Sequence, residues 1–215
     1  MSELEWSEEM SRVYAKYMET NIKHDHRKWA NKILADWRER PAEATVVDVA
    51  GGPGFLLFEV ACHLDRPRLI LTDGSAIMVK LAGENARKHS LEIETHLCMA
   101  EKLDIPDAIA DIVLCKHFVR LSSDLDAALR EMTRVLRSGG RIYIIDFNAE
   151  GSWLGKRLLN FWIQLTAPPF LRATFWDSMC AGLKASSLLD RVKSAGLADG
   201  QILSSGVSYL VRAIR

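Results

Sequence analysis

The chain has 215 residues and 48% apolar content, which suits one globular domain with a real core. Lys+Arg 28 balances Asp+Glu 28, so no basic footprint points to a nucleic-acid partner. The four cysteines, at 62, 98, 115 and 180, form no Cys-x-x-Cys pair, which argues against a zinc knuckle and fits reduced thiols in the cytoplasm.

The start of the chain is acidic and lacks the basic, then apolar, pattern of a signal peptide. Residues 7–37 read as helix, with Met10, Val13, Tyr14, Tyr17 and Met18, then Trp29, Ile33, Leu34 and Trp37, at helical spacing. The polar run 23–28 between these sets reads as a bend or exposed turn, and Pro41 stops the helix. From there strands and helices alternate. Strand patterns fall at 46–50, 68–72, 92–98, 112–115 and 141–147. Helical patterns lie at 55–64, from the N-cap Ser75 onward, and at 125–136, the last opened by Ser122 or Ser123 and ended by Ser138-Gly139-Gly140. Such crossover-length connections imply βαβ units and a parallel sheet covered on both faces.

A helix at 187–195 ends at Gly196. Strands at 201–204 and 207–214 follow with only Ser205-Gly206 between them, so a hairpin should make the last strand antiparallel. No window approaches the roughly 18 apolar residues that a bilayer span needs. The nearest, 153–171, contains Lys156, Arg157, Pro168 and Pro169. A soluble, cytoplasmic protein without a transmembrane segment is expected.

The most informative stretch is Val46-Val-Asp-Val-Ala-Gly-Gly-Pro-Gly54. A buried strand runs into glycines and then into a helix, the arrangement in which backbone comes close enough to a nucleotide-like ligand to hydrogen-bond it. Strand two ends in Asp73-Gly74-Ser75, and Asp73 stands about twenty residues past the glycines, where a carboxylate accepts from ribose hydroxyls. A helix cap or turn aspartate is the ordinary alternative. The spacing Gly51-Gly52-Pro53-Gly54 lacks the third glycine of the dinucleotide fingerprint, and no Gly-Lys-Ser/Thr follows to cradle a triphosphate. Nicotinamide and nucleoside-triphosphate readings lose ground.

The stretch resembles the first motif of class I S-adenosylmethionine-dependent methyltransferases, an acidic residue followed by Gly-x-Gly-x-Gly. Asp48 takes the acidic position, Gly52 and Gly54 the second and third glycines, and Ala50 replaces the first. The resemblance continues in order along the chain. Asp73 matches the acidic residue that holds the ribose. Cys98-Met99-Ala100-Glu101-Lys102-Leu103-Asp104-Ile105-Pro106 is similar to the Gly-Asp-Ala-Glu-x-Leu-Pro-Phe loop around the adenine. Ala110-Asp111-Ile112-Val113-Leu114 resembles the fourth strand, residues 130–141 the junction into strand five, and Ala195-Gly196-Leu197 the Ala-Gly-Phe before strand six.

The similarity, strong over 45–150 and looser over 186–215, resembles the ubiquinone/menaquinone C-methyltransferase-like group. It implies an α/β, Rossmann-like, doubly wound and mostly parallel seven-stranded sheet with an antiparallel last strand. One domain would cover 1–215, with an N-terminal helical cap at 1–40 and a substrate-covering insertion at 151–182. It implies S-adenosylmethionine as cofactor, S-adenosylhomocysteine as product and no metal. Around the cofactor it sets Asp48, Ala50, Gly51, Gly52, Gly54, Asp73, Gly74, Ser75, Met78, Met99, Ala100, Glu101, Cys115 and Lys116. Two positions depart from the pattern. Ala50 narrows the turn, a methyl being tolerable where the backbone dihedral stays negative. Met99 replaces an Asp, so one hydrogen bond to the adenine amino group is lost, about 1 kcal/mol; main chain near Ala100 and apolar contact with Met78 and Met99 would hold the base instead.

For the chemistry the resemblance leaves few groups. His117, after strand four, is the candidate general base, against the alternative of a loop histidine without proton transfer. Tyr17 is a second candidate, against that of a buried packing tyrosine. His24 and His26 reach the site only if the cap folds over it; a charged run is more often solvated, and their spacing does not suit a metal. In the insertion, Trp153, Phe161, Trp162 and Trp176 suggest an apolar lid over a small apolar or aromatic acceptor, quinone-, polyketide- or lipid-like. The same segment leaves room for a homodimer helix or a peripheral membrane contact, with Lys156 and Arg157 beside tryptophans. Two alternatives stand beside methyl transfer to such an acceptor: a methyltransferase-like binding or scaffold protein without turnover, and a metalloid methyltransferase, which needs convergent thiols.

Overall fold

The structure, a computed structural model, describes residues 7–215; the acidic start at residues 1–6 lies outside them. Helix α1 (Glu8–Thr20) is capped by the Ser7 hydroxyl, which accepts from the Met10 N–H. The helical stretch expected over 7–37, with a bend at 23–28, is two helices broken at Asn21 and Ile22 rather than in the polar run. Residues 23–28 form the first turns of α2 (Lys23–Asp36). The reason is tertiary: His26 is buried on the same face as Trp29, Ala30 and Ile33, so a residue that reads as solvated belongs to the apolar stripe.

Seven strands follow: β1 (Thr45–Val49), β2 (Arg68–Asp73), β3 (Glu94–Leu97), β4 (Ala110–Lys116), β5 (Leu136–Phe147), β6 (Ala198–Ser204) and β7 (Ser208–Ile214). They pair in the order β3-β2-β1-β4-β5-β7-β6. β1 to β5 pair in parallel, and β7 runs antiparallel to both β5 and β6, as the short Ser205-Gly206 connection requires. β1 lies between β2 and β4, with Val49 opposite Thr72 on one side and Cys115 on the other. The crossovers reverse direction beside β1, and the crevice beyond its carboxyl end is where such sheets take ligands.

The period of two along each strand divides the core into two layers. Val46, Ile112, Leu114, Tyr143 and Ile145 face α1, α2, α3 (Phe55–Ala61), α6 (Trp153–Thr166) and α7 (Pro169–Cys180). Val47, Val49, Val113, Cys115 and Ile144 face α5 (Leu125–Val135) and α8 (Ala185–Ser194). Helix α4 (Ala76–Lys88) receives the cap: Ala15 of α1 packs on its Met78 and Leu81. The N-cap of α5 is Asp124, which accepts from Ala127 N–H, and not Ser122 or Ser123. Those two serines are drawn instead to Glu101.

Candidate functional site

β1 ends in the turn Ala50-Gly51-Gly52-Pro53-Gly54. Ala50, Gly52 and Gly54 have φ of 54°, 54° and 88°. The Ala50 methyl, expected on a backbone with negative φ, therefore sits in the left-handed region, at a cost of about 1 kcal/mol against glycine. Neighbouring strands and α4 fix the turn. Gly51 N–H donates to the Thr72 carbonyl at 3.0 Å, and the Asn85 amide donates to the Pro53 carbonyl at 3.2 Å. A β-carbon at Gly54 would meet the Phe58 ring at 2.5 Å, whereas at Gly52 nothing lies within 4 Å of one. Gly52 opens on free space.

Asp73 is spread between two donors. Its Oδ2 accepts from Gly52 N–H and its Oδ1 from Ser75 N–H, both at 2.9 Å. Each oxygen keeps a further lone pair for a vicinal diol. Burial pushes this carboxyl up, and the two N–H donors pull it back. Ser75 caps α4 through Met78 N–H. Met99 leans across Gly74, its Sδ 2.8 Å from where a β-carbon there would stand, and Met78 is buried nearby on α4. Ala100 is buried, but Glu101 turns away: its Oε1 accepts from the Ser122 hydroxyl at 2.8 Å and Ser123 N–H at 3.1 Å. The loop is also held by residues not expected at the site. Glu131 accepts from Leu103 N–H, and Arg134 donates to the Leu103 and Ile105 carbonyls.

Asp48 lies beneath the turn, 1% exposed, with Oδ1 lacking a hydrogen-bond partner among the described residues. Burial, then repulsion from Asp73, pushes its carboxyl up to about 8, against the pull of the Lys116 ammonium and the Leu57 N–H. An orphaned carboxyl under an open glycine suits a cationic ligand, and the Asp73 clamp suits a ribose. The residues present therefore fit S-adenosylmethionine.

Residues 41–172, more than half of the chain, match the family described as "Methyltransferase domain". The chain belongs to that family. It is a class I domain of the S-adenosylmethionine-dependent kind. It is 31% identical over 124 residues to the ubiquinone/menaquinone biosynthesis C-methyltransferase UbiE of Cupriavidus metallidurans, an alignment covering 57% of this chain and 51% of that one. The chain spans about half the length of the curated relatives it matches. Among solved structures, a candidate S-adenosyl-L-methionine-dependent methyltransferase from Methanococcus maripaludis superposes with a TM-score of 0.77 at 18% identity, over 100% of this chain and 96% of that one. The [4+2]-cyclase SpnF superposes with a TM-score of 0.63 at 20% identity, over 84% and 62%. These likenesses at low identity show the fold.

On the acceptor side of this methyltransferase domain, the strand parity that buries Ile112 and Leu114 also turns Lys116 toward α2. Its ammonium donates to Asp25 at 2.7 Å and lies 3.1 Å from His26 Nδ1. Burial lowers Lys116, with Asp25 opposing. Burial and then the Lys116 charge hold His26 well below the usual histidine range. Burial raises Asp25, but Lys116 outweighs it and the carboxyl ends lowered. The cap is therefore latched onto the end of β4. Asp25 was legible only as part of a polar run and His26 only as a residue that reaches the site if the cap folds over it, since nothing local shows that α2 crosses β4. Cys115, expected at the cofactor, faces the opposite layer and is buried, which pushes its thiol well up.

His117 has φ 58° and stacks on Phe147 with ring centroids 4.5 Å apart. Its Nδ1 lies 3.8 Å from Asp146 Oδ1, too far for a hydrogen bond, and has no other partner among the described residues. Asp146, buried at the end of β5, accepts from Val119 N–H at 2.9 Å and so fixes the loop that carries His117. Tyr17 lies among the lid helices: its hydroxyl is 3.2 Å from the Thr166 hydroxyl, and its ring is 6.5 Å from Trp162 and 6.1 Å from Phe175. One turn earlier, Tyr14 is close enough to Asp73 to feel its charge, which adds to burial in raising the phenol to about 12. Trp176 packs against the core. Trp153 and Phe161, expected to line an acceptor pocket, stand on the outer face of α6, 68% and 65% exposed. Among the described residues no three His, Cys, Asp or Glu side chains converge as a metal site.

Proposed function

We propose that this domain transfers a methyl group from S-adenosylmethionine to a small apolar or aromatic acceptor, quinone-, polyketide- or lipid-like. The observation that carries the donor assignment is the Asp73 carboxylate fixed between Gly52 and Ser75 beside an open glycine face. Bound there, S-adenosylmethionine supplies a methyl group already activated by its sulfonium. The protein's task is then to align the acceptor and exclude water. Asp73 and the Gly52 backbone orient the donor. Met78 and Met99 flank it, and Asp48 offers a carboxyl that ionises beside a cation. The cap excludes water through the Lys116–Asp25–His26 latch. His117 takes the acceptor proton where one must leave, with Asp146 positioning its loop.

The apolar acceptor is supported by the aromatic side chains where the cap meets α7, buried Tyr17 with half-buried Phe175 and Trp176, and by the likeness to UbiE proteins. A binding protein without turnover is the second reading. Strain at Ala50 and a thioether at Met99 favour it, and the SpnF fold shows that such a sheet also carries other chemistry. Calorimetry with S-adenosylmethionine and S-adenosylhomocysteine tests the donor: Asp73→Ala should weaken both about tenfold or more. Absence of binding to the unaltered chain would sink the donor assignment. Binding without methyl transfer across quinones, phenols and lipids would favour the second reading.

A further inference from the structure

Helix α6 carries an apolar face that the rest of the described chain leaves uncovered. Trp153, Leu154, Leu158, Phe161 and Leu165 are 60–68% exposed, and Trp162 36%. Leu154, Leu158, Phe161 and Leu165 recur at helical spacing, so they form one continuous stripe rather than scattered contacts. The opposite face is anchored: Ile163 is buried in the core, and buried Lys156 donates to the Ala149 carbonyl at 2.8 Å. α6 is therefore a fixed helix with its apolar side outward, a disposition that ordinary monomer surfaces avoid.

Charge decides what this face meets. Residues 151–176 contain no Asp or Glu, in a chain that elsewhere balances its charges. The exposed Arg157 lies 5.2 Å over the Trp153 ring. At the far end of the stripe, Leu165 opens into a groove of about 420 Å³ between α1 and the start of α7, which holds Arg172 and a Lys16 that is paired with Glu19 at 3.1 Å. Cations thus flank the apolar stripe at both ends. A second copy would offer this face the same acid-free segment, with no carboxylate to pair Arg157. Aliphatic side chains and tryptophans flanked by basic residues match the boundary between headgroups and acyl chains. No described helix is long and apolar enough to cross a membrane, and α6 has only 14 residues, so it would lie on the surface.

We propose that the α6 face docks this protein on an anionic phospholipid bilayer, the stripe entering the headgroup region and Arg157 and Arg172 meeting lipid phosphates. The inference does not depend on the acceptor or on turnover. Its test is co-sedimentation of the full chain with phosphatidylcholine vesicles, with and without phosphatidylglycerol, in the absence of cofactor. Binding is expected only with the anionic lipid and should weaken with salt. Arg157→Gln should reduce partitioning about fivefold, and Leu158→Glu about tenfold or more. Because both side chains are exposed, circular dichroism should stay unchanged; brominated lipids should quench tryptophan fluorescence most in the unaltered chain and least in Leu158→Glu. No binding to either vesicle, or binding unaffected by Leu158→Glu, would overturn the proposal. So would light scattering that finds a dimer split by Leu158→Glu, which would assign the stripe to a second copy. Failure of methyl transfer leaves the vesicle result standing.

Discussion

At the scale of single residues, the glycine turn combines a strained position with an open one. Ala50 and Gly52 share φ of 54°, yet only Ala50 carries a β-carbon there. Ala50→Gly should relieve that strain and stabilise the fold by about 1 kcal/mol, less a few tenths for the greater freedom of glycine in the unfolded chain. Urea unfolding reads the difference, and a destabilised variant would mean that the methyl makes packing contacts worth more than the strain. His117 is the second non-glycine residue at the site with a positive φ, and strain of this kind persists where surrounding structure holds it. His117→Ala should lower kcat/KM by roughly a hundredfold for an acceptor that must lose a proton, with S-adenosylhomocysteine affinity unchanged. Equal turnover by the two proteins across the pH profile would remove His117 from the chemistry. Asp73 was legible from spacing and Asp48 from the resemblance; the sign of φ at Ala50 was not, because it depends on how Thr72 and Asn85 hold the turn.

At the scale of elements, the latch between α2 and β4 ties the cap to the sheet. Its two partners differ in access to water: the Lys116 side chain is 8% exposed and that of Asp25 37%. Removing Asp25 leaves an ammonium that cannot rehydrate, whereas removing Lys116 leaves a carboxylate that can. Asp25→Asn should therefore cost about 2 kcal/mol and Lys116→Met distinctly less. Denaturant midpoints near neutral pH would rank them, and the reverse order would show that the Asp25 carboxylate is the harder group to leave unpaired. The α5 cap teaches a similar lesson. Ser122, Ser123 and Asp124 are all competent N-caps, and Asp124 serves because Glu101 engages both serines. Apolar and aromatic content singled out the segment that forms α6, but only packing shows which side of it is anchored and which faces outward.

At the scale of the whole molecule, Asp48 links the site to pH. Its carboxyl titrates near 8 in the folded chain, against about 3.9 when unfolded. Stability that depends on neutral Asp48 is thus fully present below about pH 4 and is lost as pH rises to about 8. Asp48→Asn stays neutral throughout, so its stability relative to the unaltered chain should grow across that interval and then level off. Urea unfolding of both proteins at several pH values checks this, and a constant difference would show that Asp48 ionises normally. The sequence by itself determined the alternation of strands and helices from 45 to 147 and the antiparallel end of the sheet, which follow from local periodicity and short-range spacing, while the donor motif with Asp48 and Asp73 came from resemblance to a known family. Only the tertiary structure decided that His26 and Asp25 close on Lys116, that Tyr14 comes within reach of the Asp73 charge, and that Trp153 and Phe161 face outward. Each of those facts depends on where one element crosses another, and residues far apart in the chain carry no local mark of that.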